Sequence, residues 1–156
     1  MVEIADIMTP DGVILDVKSC RSKRQVLREL AREAARLEGL DEQRLLDALM
    51  EREKLGTTGI GHGIAIPHAR LDELDHMVGV FARLDQPVDF ESLDDEPSDL
   101  IFLLLAPNAA DTDSLKALAR ISRVLRNPGT RRRLREEQDR KLVYQVLTRK
   151  PECHAA

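Results

Sequence analysis

Four glycines, two threonines and two histidines crowd the stretch from Arg52 to Arg70, R-E-K-L-G-T-T-G-I-G-H-G-I-A-I-P-H-A-R. Gly56, Gly59, Gly61 and Gly63 are half of the chain's eight glycines and fall within eight residues. Glycines free backbone N–H groups to form concave anion sites, and threonine hydroxyls add donors. Thr57, Thr58, Gly59, Gly61 and Gly63 therefore read as a cradle for phosphate oxygens. The apolar run Ile64-Ala65-Ile66 follows and ends in Pro67-His68. Pro67 restricts Ile66 and fixes its own φ, so His68 reads as a side chain aimed from a strand end. Phosphoryl transfer asks a protein for positioning and charge stabilisation. A histidine nucleophile ringed by donors is sufficient for accepting a phosphoryl group. The plainer alternatives are a tight loop that needs positive φ angles and a hydrogen-bonded structural histidine.

Other glycine chemistries fail on spacing. A Walker A loop needs G-x-x-x-x-G-K-[ST], but His62-Gly63 stand where Lys-Ser should be, and a helix precedes the loop. The dinucleotide fingerprint G-x-G-x-x-G lacks its third glycine, because Ile64 and Ile66 fill the relevant places. His62, His68 and His76 have no carboxylate or cysteine at familiar ligand spacing, which argues against a metal, and no cofactor is implied. His62 lies inside the glycine stretch, either touching the phosphate or simply an exposed loop histidine.

The elements that must position these residues follow from periodicity. Thr9-Pro10-Asp11-Gly12 is a turn and Val13-Ile14-Leu15 a short strand. Apolar residues at Val26, Leu27, Leu30, Ala31 and Ala34 mark a helix from Ser22 to Glu38, ended by Gly39. Asp41 caps a second helix, with Leu45, Leu46, Leu49 and Met50 on one face, that runs into Arg52. Val78 to Leu84 alternates as a strand does, residues 85–97 read as a loop, and Leu100 to Leu105 is a strand buried on both faces. A helix from about Thr112 to Arg126 is broken by Asn127-Pro128-Gly129. Thr130 and Asp139 then cap two short helices. The fold class is α/β: one domain over residues 1–150, a mixed sheet with helices on both faces, and a tail at residues 151–156.

Composition sets the boundaries. A chain of 156 residues, 42% hydrophobic and 33% charged, fits one globular domain. No apolar run reaches bilayer length and no signal-type segment opens the chain, so a cytoplasmic protein without membrane insertion is expected. Cys20 and Cys153 are expected to be free thiols. A net charge of −4 and four aromatic residues argue against nucleic acid. The cluster Arg131-Arg132-Arg133 with Arg135 reads as a solvated helix face.

The run L-G-T-T-G-I-G-H-G-I-A-I-P-H-A resembles the signature of the fructose/mannitol-type enzyme IIA domains of the bacterial phosphoenolpyruvate phosphotransferase system, in particular the nitrogen-regulatory branch. V-G-V-F-A-R-L, P-V-D-F-E-S-L-D-D-E-P-S-D-L-I-F-L-L-L-A-P and the arginine-rich region after Pro128 extend the resemblance from about residue 4 to residue 149. It implies that His68 is the phosphoryl acceptor, at the ring nitrogen remote from the main chain, with an HPr-type phosphocarrier as donor. It also implies that Arg52 balances phosphate charge, where the plainer reading is a solvated helix end. The family's second histidine is replaced by Ser114 in Asp113-Ser114-Leu115-Lys116-Ala117-Leu118-Ala119. Serine can donate a hydrogen bond but cannot become cationic. The resemblance favours a regulator controlled by its phosphorylation state. The alternatives are a sugar-transport carrier that passes phosphate to a IIB partner, and a module of another class that holds a free anion or a protein and is never phosphorylated.

Overall fold

Two segments apolar on both alternations form the middle of the sheet. The computed structural model describes residues 2–109 and 111–149. In it β5 (Val78–Val88) and β6 (Ser98–Pro107) pair antiparallel, with Phe81 opposite Phe102. β1 (Val13–Val17) runs parallel to β5 on one side. On the other side β3 (Ile64–Ala65) and β4 (His68–Leu71) both run parallel to β6, and β2 (Gly59–Gly61) lies antiparallel outside β3. The sheet order is β1-β5-β6-β3-β2, with β4 also on β6.

Strand alternation sends two sets of side chains to opposite faces. Val78, Val80, Ile101, Leu103 and Leu105 pack under α1 (Lys23–Glu38) and α2 (Glu42–Lys54). Phe81, Phe102 and Leu104 pack under α3 (Asp111–Arg126), α4 (Pro128–Glu136) and α5 (Arg140–Thr148). Leu27, Leu30, Leu45, Leu46 and Leu49 are at most 1% exposed, so each contributes about 1.5–3 kcal/mol of burial to holding α1 and α2 on the sheet. The expected mixed α/β architecture is thus present, with helices on both faces.

The caps explain where the helices start. Ser22, Asp41 and Asp139 each accept a backbone N–H in the first turn of α1, α2 and α5. Gly39, at φ 68°, ends α1. Three expectations change. Thr130 does not cap α4: it lies inside the helix, and Asn127 accepts its N–H at 3.1 Å, with Pro128 at the first helical position. β5 runs on to Val88 through the segment read as loop, accommodating Pro87 by a register shift between Arg83 and Val88. The arginine cluster is not simply a solvated face. Arg131 donates to the Leu125 and Arg126 carbonyls at the end of α3, and Arg135 is paired with Asp99.

Cys20 is a buried free thiol. Cys153 and the expected tail at residues 151–156 lie outside the described residues. No helix among the described residues is long and apolar enough to cross a membrane.

Candidate active site

His68 opens β4, which continues β3 along the same edge of β6. Ile64 aligns with Leu100 and His68 with Leu104, so one register is kept across the break at Ile66–Pro67. Pro67 causes that break because it has no N–H to give the ladder. Its carbonyl still accepts from Leu104 N at 2.9 Å, and Ile66 N donates to the Thr58 carbonyl at 2.9 Å. The Ile66 carbonyl is left facing the histidine ring, 2.8 Å from Nδ1.

The neighbours of the ring fix its tautomer. A carbonyl can only accept, so Nδ1 carries the proton and donates it to Ile66. A guanidinium can only donate, and Arg52 Nε donates to His68 Nε2 at 3.2 Å, so Nε2 presents its lone pair. Arg52 lies in the last turn of α2, and its Nη1 is tethered to the Gly56 carbonyl at 3.0 Å. Helix end and edge strand thus meet at the outward ring nitrogen.

Burial pushes the His68 pKa below its ordinary value, helped by the positive charges of Arg52 and Arg70, while the Ile66 carbonyl and Glu53 pull it upward. The ring is therefore neutral at pH 7 and nucleophilic at Nε2. Arg70 is a participant that the motif reading missed. The available signal was strand alternation, which places residues two apart on one side. Glu53 was missed as well. It is paired with Lys23 at 3.1 Å and accepts the Thr58 hydroxyl proton, and Lys23 in turn reaches Glu91 at 3.0 Å.

The glycine stretch is not one cradle around His68. Gly63 O accepts from Asp99 N and Leu100 N at 3.0 Å each, so this end of the stretch sits at the start of β6, whereas His68 aligns with Leu104. At about 3.3 Å per residue the two ends are on the order of 15 Å apart. Gly61, His62 and Gly63 thus belong to the remote end. There His62 is exposed, its N–H donates to Asp94 Oδ2 at 2.9 Å, and its carbonyl accepts from Arg135 at 3.0 Å. Gly63, at φ 80°, has Arg135 and Asp99 where a side chain would stand, which only glycine tolerates. The Thr57–Gly59 end lies nearer to His68, through the Thr58–Ile66 bond. Its hydroxyl protons, however, are committed: Thr57 donates to the Phe90 carbonyl and accepts from Gly59 N, and Thr58 donates to Glu53. These donors hold the loop together.

Ser114 is buried near the start of α3, the helix that follows β6. Leu55 and Leu115, close in sequence to Arg52 and Ser114, are 84% and 64% exposed. Among the described residues no group of three or more His, Cys, Asp or Glu side chains is placed to hold a metal ion.

Residues 6–150 match the family model described as "Phosphoenolpyruvate-dependent sugar phosphotransferase system, EIIA 2". The chain is 49% identical over 148 residues to a protein of Bradyrhizobium diazoefficiens named "Nitrogen regulatory protein", covering 95% of this chain and 96% of that one. It is 40% identical over 123 residues to the "PTS system fructose-specific EIIA component" of Haloferax volcanii, covering 79% of each chain. The crystal structure of Nitrogen Regulatory Protein IIA-Ntr from Neisseria meningitidis superposes with a TM-score of 0.88 at 32% identity, covering 93% of this chain and 99% of that chain.

Proposed function

The chain belongs to the phosphoenolpyruvate-dependent sugar phosphotransferase system EIIA 2 family, and from that premise we propose that it accepts a phosphoryl group on His68 Nε2 from an HPr-type phosphocarrier. The observation that carries this reading is the fixed tautomer: Nδ1–H bound to the Ile66 carbonyl, with the Nε2 lone pair turned outward to Arg52.

The chemistry balances on these groups. The donor's own phosphohistidine N–P bond breaks, and its electron pair returns to the donor ring. The His68 Nε2 lone pair forms the new N–P bond, and the ring gains positive charge while Nδ1 keeps its proton. The Ile66 carbonyl, accepting from Nδ1–H, stabilises that charge. Arg52 must release Nε2 as phosphorus approaches, and the same N–H then meets a phosphoryl oxygen. Tethering to Gly56 keeps the guanidinium in reach, and Arg70 adds a second cation. The Thr57 and Thr58 hydroxyls join as phosphate donors only if their bonds to Phe90 and Glu53 open. Ser114 stands in place of a second histidine, so the phosphohistidine is held without a neighbouring imidazolium there.

The exposed Leu55 and Leu115 suit a protein donor better than a small molecule. The phosphoryl group adds nearly two negative charges at the site mouth, enough to gate binding of target proteins. High identity to a nitrogen regulatory protein over nearly all of both chains favours a regulatory role in the cytoplasm. Likeness to a fructose-specific EIIA component supports a second reading, a carrier that passes phosphate to a IIB domain.

Incubation with phosphoenolpyruvate, enzyme I and HPr, followed by intact mass measurement, is expected to show a gain of one phosphoryl group. No gain, or a gain that persists in His68→Ala, would sink the reading. Transfer of the label onward to a IIB domain would favour transport over regulation.

A further inference from the structure

The layer of α3, α4 and α5 encloses a cavity of about 410 Å³ that includes neither His68 nor Arg52. Five arginines line it: Arg120 and Arg123 from α3, Arg132 and Arg133 from α4, and Arg149 just after α5. No acidic residue lines it. In a chain of net charge −4, five guanidinium groups in one cavity reverse the sign locally. Such a cavity focuses its field on an anion. Among the described residues the side chains of Arg123, Arg132 and Arg133 make no hydrogen bond or ion pair, unlike Arg131 and Arg135 beside them. The N-terminus of α4 also opens here, through Gly129 and Thr130, and adds the positive end of its dipole.

A second observation is independent of the charge count. Arg120 is 8% exposed, and its Nε has no hydrogen-bond partner among the described residues. Its Nη2 donates to the Glu3 carboxylate at 3.3 Å and to the Arg149 carbonyl at 3.2 Å. A buried guanidinium with a donor left over is costly, and an anion in the cavity it lines offsets that cost. Glu3 balances only one of the five charges.

We propose that this cavity binds an oligophosphate, a small anion with two or more linked phosphate groups, either free or carried by a nucleoside. A single phosphate engages one or two guanidinium forks, and five are present. The volume falls in the range of small-molecule sites. Val124 and Val146 provide an apolar wall that a bare inorganic ion would not use. The proposal does not depend on whether His68 is phosphorylated.

The test is calorimetric titration of the full chain with tripolyphosphate and, separately, with a nucleoside triphosphate, at constant ionic strength. Arg132 and Arg133 are exposed on α4, so Arg132→Ala/Arg133→Ala is expected to fold. Arg28→Ala/Arg32→Ala on α1, under the opposite face of the sheet, removes the same charge elsewhere. The expected result is saturable one-site binding, weakened about tenfold or more in the α4 pair and unchanged in the α1 pair. Tighter binding of the nucleoside triphosphate would assign the apolar wall to the nucleoside, and equal binding would assign the site to the phosphate chain. Absence of saturable binding overturns the proposal, as does equal weakening in both double variants, the mark of diffuse attraction.

Discussion

Arg52 Nε donates to His68 Nε2 at 3.2 Å, so the cation expected to meet the phosphate already occupies the nitrogen that would receive it. This contact lowers the ring's basicity and must open before an N–P bond can form. On the proposed function Arg52 would act twice, on the His68 ring before transfer and on the phosphoryl charge after it.

Arg52→Ala is expected to raise the His68 pKa toward its ordinary value and to slow phosphoryl acceptance by about 10–100-fold, the loss of one charge-assisted donor at a developing charge. Arg52→Lys should restore the pKa more fully than the rate, because an ammonium lacks the planar fork. Nuclear magnetic resonance titration of the ring protons gives the first quantity, and the rate of mass gain the second. A rate unchanged in both variants would remove Arg52 from the chemistry.

The depressed His68 pKa sets a pH profile. Well above pH 6.5 the ring is neutral in both the folded and unfolded chain, and Nε2 is available. As pH falls below 6.5 the unfolded ring protonates first, so the unfolded state binds more protons and the folded state loses stability relative to it. That loss ends once pH is below the folded pKa. Phosphoryl acceptance, in contrast, should persist below pH 6.5 and fall only through the lower folded value. An acceptance rate that halves at or above pH 6.5, with donor and enzyme I controls unaffected, would contradict the assigned tautomer and environment.

Much of this site was legible because its signals are local. Asp41 and the apolar face of α2 placed Arg52 at a helix end, while the resemblance supplied its expected role. Pro67 pointed to a fixed direction for His68, although not to the break that turns the Ile66 carbonyl to the ring. The start of α4 carries a local signal as well, the cap residue Asn127 before a first-position proline, which the expectation of a Thr130 cap passes over. The glycines misled because spacing alone does not give register. One β2–β3 turn carries Gly61, His62 and Gly63 to the far end of the edge strand, and a hairpin's register depends on partners distant in sequence. The Lys23–Glu53–Glu91 cluster was illegible for the same reason, since α1, α2 and the β5–β6 loop bring those charges together.

Gly63→Ala separates the two ends of the glycine stretch. A methyl group there meets Arg135 and Asp99 at φ 80°, so a loss of about 1–3 kcal/mol is expected in chemical denaturation. Adding Arg135→Ala should relieve the crowding but not the backbone strain. The phosphorylation rate of the folded fraction should stay near that of the parent, since the site is on the order of 15 Å away. A variant of normal stability that fails to accept phosphate would return Gly63 to the acceptor site.

Arg83 carries the last prediction. Its side chain is 4% exposed and ties β5 to the end of α4: Nη1 donates to the Leu134 and Glu137 carbonyls at 2.8 and 2.6 Å, and Nε to Asp16 at 3.1 Å. Carbonyls at a helix C-terminus have no intrahelical partner, and a cation there also complements the dipole. Arg83→Ala leaves both acceptors unpaired beside a new cavity and should cost about 2–4 kcal/mol. Arg83→Met keeps much of the packing and should cost less. Asp16→Asn, which alters a half-exposed partner, should cost under about 1 kcal/mol. Urea midpoints at constant slope measure all three. If Asp16→Asn cost as much as Arg83→Ala, the ion pair rather than the helix carbonyls would be what holds α4 to the sheet.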